Sequence, residues 1–553
     1  MYTRATKFRS LFILFLLLFC FAILLGRVFY LHFVPFSFPI GRPPQYRVAC
    51  KVEPQRGNIY DRRGNKLAIS LQTDSIYASP RQIKDKVKVA QLLSAFLDID
   101  EQKLISKLCS DRSFVWIKRQ VSQKERRALE SAHLKGIYFL PEKKRFYPQG
   151  ELAAHVLGFC GIDNKGLEGV EFFYDDYLKG REGWRFAQKD GHSQEIAGLE
   201  KEAIPVVNGA NLTLTLDIII QYIVEKELKK TVEEYKPSSA SVIVLNPHTG
   251  EVLALANYPT FDPNTFFSFS PSYYRNRAIT DIFEPGSTFK IVSACAALEE
   301  GVVSLEDRFY CERGRYCFKG HILHDYHPYG ELSFSEVIVK SSNIGISKIA
   351  QRLGKRKLYE YILKFGFASA SHIDLPGEAK GLLKPVEKWD DISMLNIPMG
   401  QGIGVTAMQM ACAISVIANG GELIKPYVVK QITDENGEVI KRFLPSKRRI
   451  ISRKTAERMR EVLQRVVEKG TGRRAQIRGY KVAGKTGTAQ KPSPSGGYYK
   501  DRFVSSFIGF LPADNPLICI AVVIDEPKGA HFGSIVAAPL FQRIGKQVME
   551  YLL

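Results

Sequence analysis

The sequence predicts an α+β protein whose larger part is an α/β/α sandwich, an antiparallel sheet with central helices, preceded by an elongated α+β segment and one membrane-spanning helix. Three observations carry this. Strand-like runs flank the larger part at both ends: Ser241-Val242-Ile243-Val244-Leu245 and Val252-Leu253-Ala254-Leu255 about a Thr249-Gly250 turn, then residues 505–510 and 517–524. Between them, Ile291, Val292, Ala294, Cys295, Ala296 and Leu298 make a helix apolar nearly all round, which belongs in the middle of a domain. Near the N-terminus, residues 11–25 are apolar without a break.

Taken in order, Arg4, Lys7 and Arg9 precede the apolar run, and Gly26-Arg27 and then Val28-Phe29-Tyr30-Leu31 follow it. The run can cross a bilayer, the preceding cations leave the N-terminus in the cytoplasm, and Arg27 can snorkel to the outer interface. No small-x-small cleavage site follows, so an uncleaved anchor is expected rather than a signal peptide. The expected division is a cytoplasmic tail over 1–9, an anchor over 10–32, an N-terminal segment over 33–205 and the larger domain over 206–553. The N-terminal segment places strand-like residues around a turn from Arg56 to Ala68, then carries Arg145-Phe146-Tyr147-Pro148 and Gly166-Leu167-Glu168-Gly169-Val170-Glu171. It shows no carboxylate pair, Cys/His cluster or phosphate loop. The larger domain opens near Gly209, with alternation at Leu212-Thr213-Leu214-Thr215-Leu216 and a helix from Gln221, and a helix from about Ala537 closes it.

Three short motifs carry the chemistry. Ser287-Thr288-Phe289-Lys290 follows the turn Glu284-Pro285-Gly286, and Gly301 closes its helix. Lys290 lies on the same helix face as Ser287, whose hydroxyl is a weak nucleophile until a base takes its proton. Ser341-Ser342-Asn343 adds a second hydroxyl and a side-chain amide. Lys485-Thr486-Gly487-Thr488 adds a cation, two hydroxyls and a glycine that lets a ligand approach the backbone. It stands between β-prone Tyr480-Lys481-Val482 and a Pro/Ser/Gly-rich stretch, which suits an edge strand. Together these are a nucleophile, a base, a proton relay and a binding edge for a small acyl donor.

Other signals carry less. Residues 479–486 match the phosphate-loop pattern, but Ala489-Gln490-Lys491-Pro492-Ser493-Pro494 cannot start the helix such a loop requires. Gly400-Gln401-Gly402-Ile403-Gly404 lacks the last spacing and the preceding strand of a dinucleotide loop, and is expected to pack tightly near the site. Cys311, Cys317, His321, His324 and His327 crowd into one stretch that fits no standard finger; zinc, a Cys311–Cys317 disulfide and an unliganded hairpin stay open, with no metal as the expectation. Nine cysteines, thinly spread, do not make a disulfide scaffold. The net charge of +21 fits anionic lipid, cell-wall polymer or a solvated face; nucleic acid is not an expected partner of an exported chain, and no cofactor is expected.

The order and spacing of the three motifs resemble the set shared by penicillin-binding proteins and serine β-lactamases. The stretch from Arg56 to Ala68 resembles the opening motif of class B penicillin-binding proteins, and those at Arg145 and Glu168 resemble their later pedestal motifs. The resemblance runs from the anchor to the end of the chain. It implies a transpeptidase fold for 206–553, a dimerisation-type pedestal for 33–205, and peptidoglycan D,D-transpeptidase activity. Ser287 would attack the penultimate D-alanine of a stem peptide, and Lys290 would be the base, its pKa lowered by burial and by Lys485. Ser341 would pass the proton to the leaving amine, and Asn343 would hold the donor amide. Thr486 and Thr488, helped by Lys485 and with Gly487 opening the edge, would bind the terminal carboxylate. The backbone N–H groups of Ser287 and Thr488 would form the oxyanion hole. The resemblance also implies acylation by β-lactam antibiotics, an inner-membrane anchor with the catalytic domain outside, an amine acceptor from a second stem peptide, and a polytopic glycosyltransferase and division proteins as partners. Ala68-Ile69-Ser70 after the first motif, with a C-terminus that stops at the domain, favours the division-specific branch over the elongation branch. A β-lactamase would not need the anchor and pedestal, a β-lactam sensor would need several spans, and a non-catalytic scaffold would tolerate a lost nucleophile.

Overall fold

The computed structural model describes residues 3–33, 47–188 and 201–553, which group into two compact units. In the unit of Met1–Glu53 and Glu182–Val207, helix α1 (Thr3–Phe33) exposes its apolar side chains from Leu11 to Phe29. Nineteen helical residues span about 28 Å, the thickness of a bilayer's hydrocarbon core. The same unit holds an antiparallel three-stranded sheet of Arg47–Val52, Gly183–Gln188 and Lys201–Ile204. The expected boundary between anchor and N-terminal segment, at residues 32 and 33, falls at the last residues of α1, and residues 34–46 and 189–200 lie outside the described residues.

In the unit of Pro54–Arg181 and Asn208–Leu553, one mixed sheet orders Val439–Arg442, Val429–Thr433, Asn211–Leu214, Ile59–Tyr60, Lys66–Ala78 and Val115–Val121, with Ile137–Phe146 also paired to Lys66–Ala78. Ile59 pairs in parallel with Leu212, so strands from both sides of residue 205 share this sheet. The three N-terminal stretches meet beneath it at one buried carboxylate. Glu171 accepts from Arg56 Nε at 2.7 Å and from Arg145 Nε at 2.6 Å, and Arg56 Nη1 also donates to Asp175 at 2.7 Å. Burial alone would raise the Glu171 carboxyl; Arg145 and Arg56 hold it below the ordinary carboxylate range instead.

The larger part of this unit is built on α2 (Ile218–Tyr235), β1 (Ser239–Leu245), β2 (Val252–Tyr258), α3 (Lys290–Glu299), α4 (Asn343–Leu353), α5 (Ala407–Ala418), α6 (Arg453–Lys469), β3 (Ala483–Pro492), β4 (Tyr498–Leu511), β5 (Ile518–Asp525) and α7 (Ala537–Leu552). Its five strands pair antiparallel in the order β2-β1-β5-β4-β3. Period-two alternation sorts their side chains between two cores. Cys519, Ala521 and Val523 of β5 pack with α3, α4 and α5 on one face. Ile518, Ile520, Val522 and Ile524 pack with α2 and α7 on the other. This is the expected α/β/α sandwich. Strand β3 is outermost, as its flanking sequence predicts, and α3 is buried at every position from Lys290 to Leu298.

Candidate active site

Glycines set the position of the nucleophile. Residues Gly286–Phe289 form a 3₁₀ turn that runs on into α3, which puts Ser287 and Lys290 on one continuous helical segment. Gly286 has φ +53°, and its N–H donates to Gly400 O at 3.0 Å. A Cβ on Gly400 would stand 2.2 Å from Gly286 O, so only glycine allows this approach. Gly402 N–H donates to Glu284 Oε1 at 2.8 Å. The glycine run at 400–404 therefore packs against the serine turn, as expected of it. Ser287 is half-buried, and among the described residues no hydrogen bond engages its hydroxyl.

Lys290 turns to the second motif. Its Nζ donates to Ser341 O at 2.6 Å and Asn343 Oδ1 at 2.7 Å, and stands 3.2 Å from Ser341 Oγ. Desolvation pushes this fully buried amine down to about 7, against the opposing pull of the Asp325 carboxylate. A neutral amine has two hydrogens and a lone pair. The two carbonyl oxygens take the hydrogens, leaving the lone pair to receive a hydroxyl proton.

Ser341 joins the helix Phe334–Val339 to α4 with φ +63°, a left-handed conformation uncommon outside glycine. In this conformation its carbonyl and its hydroxyl both reach Lys290. The same hydroxyl lies 2.9 Å from Lys485 Nζ, which also donates to Thr486 O at 3.2 Å. Lys485 is fully buried and is lowered well below its ordinary value by burial and then by the charge of Lys290. Burial leads in both cases, and two ammonium groups so close together disfavour each other.

On the edge strand, Thr486 Oγ1 pairs with Thr471 Oγ1 at 2.7 Å, and Thr488 Oγ1 accepts from Gly533 N–H at 2.9 Å. Gly487 answers a tighter need than ligand access. A Cβ there would meet Ser506 Oγ at 2.3 Å and both Pro285 O and Thr288 Cγ2 at 2.9 Å, so β3 closes on the serine turn at this residue.

Two contributors escape the sequence reading. Thr471 lies in the turn after α6 and belongs to no motif. Asp325 braces the second motif: Ser342 Oγ donates to its Oδ2 at 2.5 Å, and the N–H groups of Asn343 and Ile344 donate to its Oδ1, the latter at 3.1 Å. Asn343 Nδ2 donates to His324 O at 3.0 Å, which leaves one of its hydrogens for a ligand. The crowded Cys/His stretch is thus a support. It contains the hairpin of Arg315–Phe318 and His321–His324, with Cys311 buried beside Ser342 and Cys317 exposed, both as free thiols. Among the described residues no three His, Cys, Asp or Glu side chains stand together to hold a metal ion.

Residues 240–546 match the family described as the penicillin binding protein transpeptidase domain, and residues 51–214 that described as the penicillin-binding protein dimerisation domain. The chain is 38% identical over 510 residues to stage V sporulation protein D of Bacillus subtilis, across 90% of this chain and 79% of that protein. It is 33% identical over 534 residues to peptidoglycan D,D-transpeptidase FtsI of Escherichia coli, across 95% of this chain and 88% of that one. It also resembles the crystal structure of penicillin binding protein 3 of Mycobacterium tuberculosis complexed with aztreonam, with a TM-score of 0.72 at 28% identity over 91% of this chain and 97% of the other.

Proposed function

Because the chain belongs to the penicillin-binding proteins that join a transpeptidase domain to a dimerisation domain, we propose that Ser287, Lys290, Ser341, Asn343 and Lys485 perform its acyl transfer. The enzyme is a serine-type peptidoglycan D,D-transpeptidase of cell-wall synthesis. The observation that carries the residue roles is the meeting of all three motifs at the Ser341 hydroxyl, bonded from both sides by buried lysines.

In this reading the Ser287 hydroxyl attacks the carbonyl carbon of the penultimate D-alanine while Lys290 takes its proton. The tetrahedral oxyanion is held by the backbone N–H groups of Ser287 and Thr488. Its collapse breaks the peptide bond. The proton travels from Lys290 through Ser341 to the departing nitrogen, and the last D-alanine leaves. The amine of a second stem peptide then attacks the ester and loses a proton back along the same path. Ser287 is freed and the cross-link is made. Thr486, Thr488 and Lys485 bind the donor's terminal carboxylate, and the free hydrogen of Asn343 Nδ2 meets the donor's amide oxygen. β-Lactams acylate Ser287 by the same route, a reading supported by the aztreonam complex of the mycobacterial relative.

The anchor holds the catalytic domain outside a bacterial inner membrane with the N-terminus inside, 33–205 serves as pedestal and 206–553 as catalytic domain. A polytopic glycosyltransferase and division proteins are its partners, at the division septum rather than in sidewall elongation. Membranes carrying the full chain test the reading. Ser287→Ala abolishes covalent labelling by a fluorescent penicillin and shifts the melting temperature by no more than about 2 °C, because one small hydroxyl is lost. Labelling that survives removes Ser287 from the role, and sidewall fluorescence of the tagged protein removes the septal assignment.

A further inference from the structure

Beyond the catalytic cluster, β3 runs on into a cavity of about 900 Å³ whose walls include Gln490, Lys491 and Pro492. At about 3.3 Å per strand residue, these lie roughly 7–13 Å past Thr488 along the same edge strand. The lining also includes Glu284, three residues before Ser287 and so at most about 11 Å from it along the chain. The cavity therefore begins within one short peptide's length of the nucleophile.

Its polar groups are poised but incomplete. Buried polar atoms are normally paired, and each exception needs a reason. Glu284 Oε2, Asp525 Oδ1 and Arg277 Nε are buried without a partner among the described residues, and all three residues line this one cavity. The carboxyl groups of Glu284 and Asp525 are both raised, first of all by burial; Asp525 keeps an ion pair with Lys491 at 2.9 Å, whereas Glu284 has no cation partner among the described residues. At the rim stand Lys384 and Lys388, exposed and, among the described residues, in no ion pair. An unpartnered Glu284 oxygen and two exposed lysines in one cavity that also carries the apolar Phe283 and Ile403 describe a site for a ligand that carries both charges.

We propose that this cavity receives the part of the donor stem peptide preceding its terminal D-alanyl-D-alanine, with Glu284 taking an ammonium side chain and Lys384 and Lys388 a carboxylate. The proposal rests on the donor orientation given above, with the terminal carboxylate at Thr486 and Thr488. Three residues upstream of the dipeptide span about 10 Å extended, the distance from Thr488 to the cavity.

The test uses the full-length protein in detergent and three acyl donors. Penicillin and Nα-acetyl-D-alanyl-D-alanine, each with a free carboxylate, reach only the catalytic cluster. The pentapeptide L-alanyl-γ-D-glutamyl-L-lysyl-D-alanyl-D-alanine carries the ammonium and the carboxylate. Lys384→Gln with Lys388→Gln lowers kcat/KM for the pentapeptide about tenfold, mainly through KM, and leaves acylation by the two short donors within about twofold. Amidating the glutamyl carboxylate of the pentapeptide removes the difference between wild type and variant. Glu284→Gln weakens the pentapeptide and spares the version whose lysyl amine is acetylated. Equal effects on long and short donors, or none on either, overturn the proposal. A wild-type protein that penicillin does not acylate at Ser287 overturns instead the reading of the catalytic cluster on which it rests.

Discussion

Lys290 and Lys485 reach the same hydroxyl, that of Ser341, at 3.2 and 2.9 Å. Two buried ammonium groups about one small hydroxyl cannot both stay charged, so the pair holds at most one proton near neutral pH. The two amines share that proton in the resting site. In the proposed mechanism a carboxylate arriving beside Thr486 and Thr488 stabilises the charge on Lys485 and draws the proton there. Lys290 is then the neutral base when the substrate is in place.

The acylation rate follows from this. In the proposed mechanism Lys290 works deprotonated, and burial brings it down to about 7 from the ordinary 10.5. The rate constant for penicillin acylation therefore rises with pH through about 7 and levels off above it. Stopped-flow acylation between pH 5 and 9 checks this, and a rising limb near 10 would remove burial as the source of the base.

Lys485→Gln lowers acylation by penicillin and by D-alanyl-D-alanine donors alike, by one to two decades for a charged hydrogen bond of about 1.5–3 kcal/mol. Removing the neighbouring cation also favours the charged form of Lys290, so the rising limb moves to higher pH. An unchanged acylation rate with an unchanged limb would show that Lys485 does not act at the site.

Lys290→Arg keeps a cation that cannot be deprotonated in a protein. Acylation should fall nearly as far as with Ser287→Ala, measured as covalent label after hours at saturating penicillin. Near-normal acylation would assign the proton to another group.

Asp325→Asn removes the charge that raises Lys290 and weakens three hydrogen bonds to Ser342, Asn343 and Ile344. The rising limb should move to lower pH, and the plateau should fall about tenfold as the second motif loosens. The two shifts are separable in one pH series.

Gly487→Ala places a methyl where Ser506 Oγ, Pro285 O and Thr288 Cγ2 now stand, so β3 and the serine turn must part. Overpacking of this kind costs about 1–3 kcal/mol of stability. Acylation should fall much further than that destabilisation explains, because the displaced element carries Ser287. A stable variant with unchanged acylation would mean the turn yields without moving the nucleophile.

Much of this arrangement is legible in the sequence because it is local. The helical spacing of Ser287 and Lys290, the edge character of β3 and the apolar ring of α3 are all set by neighbouring residues. Asp325 is not legible, since a lone aspartate in a stretch crowded with Cys and His acquires its role only when the hairpin folds back over the N-terminus of α4. Thr471 is likewise joined to Thr486 only by the way α6 ends beside the edge strand. The three N-terminal stretches are visible as motifs, but their common purpose, two arginines closing on Glu171, is a tertiary fact.

The left-handed backbone of Ser341 bears on how this enzyme can change by descent. Threonine would supply the same hydroxyl, yet a β-branched residue in that region is strained by about 1–2 kcal/mol. Glycine and asparagine accept the backbone but bring no hydroxyl for the two lysines to share. In the proposed mechanism drug and substrate use the same atoms here, so threonine, glycine and asparagine each lose something both need, and heritable escape from a β-lactam must be sought in the surroundings of Ser341 rather than at Ser341 itself.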